Sequence, residues 1–284
     1  MNARPKDASK FAVVMSGNDP RILLHILSRT DFPKGVEVVT QEHSAVPYLS
    51  EIELPPEEDR KRQIAVSQKG LVPVLARLSA KKRLRLWVGA PYYDPERDKL
   101  YNGYGLFERG ELRWLHFKQY LWKTERTLIP GTRQQVVDAP EKYDGDFDGR
   151  KVLICHEAFG YWDPVWNKTR LPEAHRGRPR FVLLPAQWEE DPPVTLNKLC
   201  RMIVRRVEKE SDKRCAANPR GCLLLLANHN RAAVFGPAPR LPGGREKGSK
   251  AKGKCYAELR EPGWIEIRRA MPTGRQDEIS VHCI

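Results

Sequence analysis

No stretch of this 284-residue chain is apolar for as long as a bilayer is thick. The longest such run is Cys222-Leu223-Leu224-Leu225-Leu226-Ala227, far short of the roughly 20 residues that a spanning helix needs. Nor does a signal-peptide core follow the charged N-terminus, because Phe11 to Met15 is too brief to serve as one. A cytoplasmic protein is therefore expected. Cysteine is sparse and scattered: Cys155, Cys200, Cys215, Cys222, Cys255 and Cys283 form no tight framework and read as free thiols of a reducing compartment. Cys215 and Cys222 make the one close pair. Their spacing is wider than that of a zinc knuckle and no second pair accompanies them, so no metal site is expected. No internal repeat is present.

Positive charge is what the chain has in excess. Fifty Lys and Arg against 36 Asp and Glu give a formal net charge of +14. Such a balance favours contact with polyanions or anionic surfaces, or else forms a solvated basic face. Hydrophobic residues make up 40% of the chain, which suffices for a sizeable core and argues against disorder.

Strands and helices alternate along the sequence. Phe11 to Met15 reads as a buried strand. Asp19 and Pro20 open a helix with Ile22, Leu23, Ile26 and Leu27 on one stripe. Val36 to Thr40 is the next strand, and Glu42 stands just beyond its C-terminal tip, where open α/β sheets bind ligands. Residues 51–62, charged and with two prolines, read as a surface loop, followed by a helix from about Gly70 to Lys82. Leu84–Ala90, Leu100–Glu108 and Leu112–Phe117 read as strands joined by turns at 92–99 and at Arg109-Gly110. Lys118 ends the third. Residues 138–148 are acidic and loop-like. Lys151 to Ile154 is a buried strand that ends at Cys155. Further strands are expected at Phe181–Leu184 and Cys222–Ala227, a basic-faced helix from Val194 to about Arg214, and a final hairpin over Tyr256–Ile267 turned at Pro262-Gly263. The pattern predicts an α/β layered fold with mixed sheets.

Three strand ends thus carry Glu42, Lys118 and Cys155. Singly, each has an innocent reading: a solvated carboxylate, a surface lysine, a small buried hydrophobe. Together they satisfy nucleophilic catalysis. A thiol with a pKa near ~8.5 is mostly protonated at neutral pH. A carboxylate can accept its proton during attack, and an ammonium can face the oxyanion that then develops.

The segments around the trio add to this. Val152-Leu153-Ile154-Cys155-His156-Glu157 resembles the nucleophile segment of the nitrilase, or carbon–nitrogen hydrolase, superfamily. Phe117-Lys118-Gln119-Tyr120-Leu121 resembles its lysine motif, and Val38-Val39-Thr40-Gln41-Glu42 its glutamate strand. Leu100 to Phe107 with Gly110-Glu111-Leu112 is similar to the family's asparagine-bearing strand and turn, and Pro130-Gly131 to the step before the cysteine strand. The order Glu, Lys, Cys is the family's. The resemblance covers about Phe11 to Asn228.

That resemblance implies a four-layer αββα sandwich with mixed sheets, one domain over 1–284, pairing into a homodimer or a higher homo-oligomer, and neither metal nor organic cofactor. It implies a hydrolase that cleaves a non-peptide amide, carbamoyl or nitrile bond through a Cys155 thioester. Glu42 acts as base, and Lys118 and the His156 backbone N–H hold the oxyanion. Glu125 falls where the family often has a second glutamate, orienting Lys118 or the leaving group. Trp188 and Asn228, at strand ends, are candidate pocket residues, and Glu157 is read as an anchor of the turn. Two segments depart from the family pattern: a basic insertion at about 161–180, with Trp162, Trp166, Arg170, His175 and Arg176, and the family's later glycine–serine strand, present only as Phe235-Gly236-Pro237-Ala238-Pro239; a flexible Lys- and Gly-rich segment follows at about 240–254. With the +14 charge, the 161–180 and 240–254 segments motivate an alternative of another class, a nucleic-acid-associated nitrilase-like module linked to a reverse transcriptase system, in which basic side chains meet phosphates and tryptophans stack on bases.

Overall fold

The computed structural model describes residues 9–17, 19–45, 56–118, 121, 146–147, 150–155, 157–158, 181–188, 197–205, 222–236, 254–270 and 276–284. In chain order these form β1 (Ser9–Met15), α1 (Pro20–Arg29), β2 (Glu37–Val39), α2 (Glu57–Lys82), β3 (Arg85–Asp94), β4 (Lys99–Glu108) and β5 (Glu111–Phe117). Then come β6 (Asp146–Phe147), β7 (Arg150–Val152), β8 (Phe181–Pro185), β9 (Leu223–Asn228), β10 (Arg231–Gly236), β11 (Lys254–Leu259), β12 (Gly263–Ala270) and β13 (Gln276–Cys283). Residues 197–205 are helical.

The strands make two mixed sheets: a seven-stranded one ordered β13-β12-β1-β2-β3-β4-β5 and a six-stranded one ordered β11-β10-β9-β8-β7-β6. In each, a central parallel trio is flanked by antiparallel strands: β1, β2 and β3 in the first, β7, β8 and β9 in the second. Strand alternation decides how the layers stack. In β1, Phe11, Val13 and Met15 point to the other sheet and share one core with Val152, Phe181 to Leu184 and Leu223 to Ala227. Ala12 and Val14 point the opposite way, onto Leu23, Ile26 and Leu27 of α1 and Leu75 of α2. The helix at 197–205 joins the core through Leu199, Cys200, Ile203 and Val204. Phe11 and Phe181 meet across the two sheets with ring centroids 4.7 Å apart. The architecture is the expected α/β sandwich of two mixed sheets with helices.

Local chemistry explains the helices. Asp19 caps α1 by accepting from the Arg21 N–H at 2.8 Å, with Pro20 at the first helical position. α2 begins at Glu57, so the charged stretch from there to Arg62 is helix, not the loop its prolines and charges suggested. Glu57, Glu58 and Asp59 complement the positive end of the helix and Lys81 and Lys82 the negative end. Lys61 also ties this first turn to the β3–β4 connection, through Glu58 at 3.0 Å and Asp98 at 2.8 Å.

The C-terminal strands need a second correction. Tyr256 to Ile267 is not a hairpin. β11 pairs with β10 in the six-stranded sheet, whereas β12 pairs with β1 and β13 in the seven-stranded one. The Pro262-Gly263 corner therefore carries the chain from one sheet to the other. β10, of which the sequence showed only the Phe235-Gly236 end, and β13, which it did not show, complete the two sheets. The segments 161–180 and 240–253, with Glu125, His156 and Cys215, lie outside the described residues.

Candidate active site

Glu42 sits in the 40–45 segment that follows β2, and this segment is moored along β3. The Thr40 N–H donates to the Trp87 carbonyl at 3.0 Å and the Ala45 N–H to the Gly89 carbonyl at 3.1 Å. The Thr40 hydroxyl pairs with Ser44 at 2.6 Å and donates to the Trp87 carbonyl at 3.0 Å. From β4, the Tyr104 hydroxyl donates to the Thr40 carbonyl at 2.8 Å and accepts from its N–H at 3.2 Å. Burial pushes the Tyr104 phenol well above its ordinary value, so it stays a donor. Gln41 adds a bond from its side-chain amide to the Gly17 carbonyl. The close approach of the segment to β3 requires a glycine: a Cβ on Gly89 would lie 1.8 Å from the Glu42 carbonyl oxygen.

Strand alternation brings the partners of Glu42 to it. On β4, Asn102, Tyr104 and Leu106 face the six-stranded sheet. On β5, Trp114 and His116 do so, and Lys118 continues their row one residue past the strand end. The Lys118 N–H closes the ladder on the Asn102 carbonyl at 2.8 Å, and Tyr104 pairs with His116 across the strands. One oxygen of Glu42 then accepts from Lys118 Nζ at 2.6 Å and from Asn102 Nδ2 at 2.7 Å. The Lys118 and Glu42 side chains are 1% and 2% exposed. Burial alone would raise the Glu42 pKa. The Lys118 ammonium, the charge of His43 and the hydrogen bonds from Lys118 and Asn102 outweigh it and hold the carboxyl below its ordinary range.

Cys155 belongs to the other sheet. It follows β7 and is buried, at a positive φ of 46°, a left-handed conformation that side-chain-bearing residues seldom adopt. The turn is closed twice. The Glu157 N–H donates to the Ile154 carbonyl at 3.0 Å, and the Glu157 carboxylate accepts from the Ile154 N–H at 2.8 Å. The second bond is the carboxylate half of a capping box, the first an ordinary backbone turn bond, and through both Glu157 anchors the turn. The same carboxylate reaches across the sandwich to His116 Nε2, at 3.1 and 3.2 Å from its two oxygens. The Cys155 turn is therefore bonded to the strand that ends at Lys118, and His116 and Lys118 lie on one face of it.

Trp188 and Asn228 also come together. The Asn228 amide accepts from the Trp188 N–H at 2.9 Å and donates to its carbonyl at 3.3 Å and to Asn230 at 2.7 Å. Sequence reasoning named both but not the bond between them. It missed His116, the contact of Asn102 with Glu42, and Gly89. The period-two row Trp114, His116, Lys118 was the available signal for the first. Among the described residues no three His, Cys, Asp or Glu side chains converge to hold a metal ion, and no helix is long and apolar enough to cross a membrane. An apolar cleft lined by Leu71, Leu75, Ala90, Gly103 and Gly105 lies between α2 and β3–β5, on the face of β4 opposite Asn102.

No family model and no curated protein matches this sequence. Solved structures do match its fold. Nit3 of Saccharomyces cerevisiae, a member of branch 10 of the nitrilase superfamily, is similar with a TM-score of 0.53 at 18% identity, over 96% of this chain and 88% of Nit3. A carbon–nitrogen hydrolase from Helicobacter pylori is similar with a TM-score of 0.51 at 12% identity, over 96% and 88%. An amidase from Nesterenkonia sp. AN1, in a glutamate-to-glutamine variant with acrylamide added at its active-site cysteine, gives 0.54 at 16%, over 91% and 92%. The chain has the nitrilase-superfamily fold. In this nitrilase-like sandwich the Glu42–Lys118 pair lies on the inner face of one sheet, and the Cys155 turn of the other sheet is bonded to that face through Glu157 and His116.

Proposed function

We propose that this nitrilase-like chain, read as one domain over 1–284, is a hydrolase of non-peptide carbon–nitrogen bonds, with Cys155 as nucleophile, Glu42 as general base and Lys118 as oxyanion partner. The observation that carries the reading is the Glu42–Lys118 contact of 2.6 Å between two almost fully buried side chains. A buried ion pair is a weak source of stability. At the end of two strands, in a fold shared with carbon–nitrogen hydrolases, it is well suited to chemistry.

In the reaction of an amide or carbamoyl compound, Glu42 takes the Cys155 thiol proton as sulfur bonds to the carbonyl carbon; at a nitrile carbon the same attack gives a thioimidate, to which one water adds before ammonia leaves the thioester. The negative charge that forms on an amide oxygen is met by the Lys118 ammonium, with the backbone N–H of His156 as second donor. Glu42 returns the proton to the nitrogen, the C–N bond breaks, and ammonia or an amine leaves a thioester on Cys155. A water molecule, deprotonated by Glu42, then attacks the thioester carbon, and sulfur leaves as the acid is released. Two features prepare this sequence. The lowered Glu42 pKa keeps the carboxylate ionised to receive a proton, and burial removes the water that would screen Lys118 from the oxyanion. Glu125 completes the set as the partner that orients Lys118 or the leaving group. Trp188, fixed by Asn228, forms part of the pocket wall. The substrate is a small amide, carbamoyl compound or nitrile, and the active protein is a homo-oligomer.

The test is a panel of amides, ureas, N-carbamoyl compounds and nitriles, read by ammonia or amine release and by mass-spectrometric capture of an acyl group on Cys155. Turnover by the wild type that disappears in Cys155→Ala supports the reading. Full activity in Cys155→Ala ends it.

A further inference from the structure

We propose that His116 is a positioning residue for the nucleophile, holding the Cys155 turn of one sheet in register with Lys118 of the other. The proposal rests on the reading of Cys155 as nucleophile and adds a residue that the reading does not require.

His116 is buried and its Nε2 lies 3.1 and 3.2 Å from the two Glu157 oxygens. A carboxylate only accepts, so Nε2 carries the proton and donates it. The Glu157 carboxylate also receives the Ile154 N–H, the residue just before the nucleophile. One carboxylate thus links a ring on β5 to the backbone at Cys155. The ring has little freedom of its own. It stacks on Trp114 with centroids 5.8 Å apart and planes 17° off parallel. Trp114 meets Trp87 edge-on at 5.5 Å, and the Trp87 indole N–H is bonded to Glu37 at 3.0 Å. The chain of contacts ends on a backbone that needs holding, because Cys155 sits at positive φ without being glycine. Without the His116 bond, Glu157 would still close its own turn, but that turn would no longer be tied to the strand bearing Lys118. The sulfur and the ammonium would then lose their fixed relation.

The test uses the full-length protein and iodoacetamide, which needs no knowledge of the substrate: a thiolate displaces iodide and a carbamidomethyl group remains on sulfur. Peptide mass spectrometry follows each cysteine separately. Exposed Cys283 gives the reference rate, and buried Cys200 and Cys222 report any general opening. In the wild type Cys155 reacts faster than Cys283. His116→Met, with no donor, slows Cys155 by about tenfold, the loss expected when a charged acceptor loses one hydrogen bond. His116→Gln, which keeps an N–H, stays within about threefold of wild type. Cys283 is unchanged in both. A wild-type rate at Cys155 in His116→Met overturns the positioning role and leaves the nucleophile reading standing. Wild-type Cys155 reacting no faster than Cys283 overturns the nucleophile reading itself. If His116→Met exposes Cys200 and Cys222, the decision passes to His116→Asn, whose shorter polar side chain does not reach Glu157 as Nε2 does, alone and combined with Glu157→Gln. A coupled pair leaves the double variant no slower than the slower single, and fully additive slowing overturns the proposal.

Discussion

The Lys118 ammonium and the Glu42 carboxylate lie 2.6 Å apart, with neither side chain more than 2% exposed. Removing the Lys118 charge alone leaves the Glu42 carboxylate buried without its ammonium. Lys118→Met is therefore expected to destabilise the fold by about 3–5 kcal/mol, because the buried carboxylate loses its closest opposite charge. Glu42→Gln, which preserves an acceptor for both donors, is expected to lose less stability than Lys118→Met. On the proposed mechanism both lose turnover. Urea unfolding beside amide turnover separates the two effects, and a Lys118→Met protein as stable as wild type would contradict the burial argument.

Gly89 makes a sharper prediction, since it contains no functional group. A Cβ there would overlap the Glu42 carbonyl, and the carbonyl of Gly89 also holds the Ala45 N–H. Backbone cannot swing aside as a flexible side chain would, so Gly89→Ala must push the 40–45 segment away from β3. A displacement of about 1 Å at a reacting group is enough to lower turnover by roughly 100-fold. Unfolding of the same variant is expected at lower urea, and a wild-type kcat/KM would show that the segment has room that its contacts deny.

How far the sequence carried these conclusions differs from element to element. β1, α1, β4, β5 and β9 were legible because their patterns are local: a period-two or continuous apolar run, or Asp19-Pro20 opening an amphipathic helix. β11 and β12 were legible as strands but not as members of different sheets, since Pro262-Gly263 turns the chain equally well into a hairpin or a crossing. α2 was cut short because charge and proline at 51–62 outweighed the helix-dipole pattern of Glu57, Glu58 and Asp59. Glu42, Lys118 and Cys155 were singled out by their places at strand ends and by resemblance, and the contact between Glu42 and Lys118 is what the structure adds. The hydrogen bond between His116 and Glu157 was not, because it joins two sheets and nothing local to either strand announces it.

A second buried ion cluster lies at the start of β2, at the other end of that strand from Glu42. Glu37 on the seven-stranded sheet accepts from Arg150 on the six-stranded sheet, with Nε at 3.2 Å and a second, closer bond from Nη2. It also accepts from Trp87 at 3.0 Å and is paired with Arg85 at 3.4 Å. Glu37→Leu takes the Glu37 carboxylate away from Arg150, which is buried against Phe181, and a loss of about 3–5 kcal/mol is expected. The double change Glu37→Leu with Arg150→Met removes both charges and is expected to recover much of that loss. Calorimetry of the three variants checks this, and strictly additive losses would refute the coupling.

The lowered pKa of Glu42 carries a prediction for acid stability. Burial works to raise it, and Lys118, His43 and the bonds from Lys118 and Asn102 more than offset this. The folded value therefore lies below the ordinary 4.5, and the unfolded chain binds a proton there more readily than the folded one. The sign follows by linkage: Glu42 contributes stability that is fully present above the unfolded pKa and is lost as pH falls through the folded value. Urea unfolding free energies are expected to owe nothing to Glu42 in their pH dependence from neutrality down to about pH 5, and to fall below it. Glu42→Gln has no proton to bind, so its curve should be flatter than that of wild type in the acid range. Parallel wild-type and Glu42→Gln curves below pH 4.5 would mean that the folded and unfolded states hold this carboxyl alike, against the environment that Lys118 and Asn102 make for it.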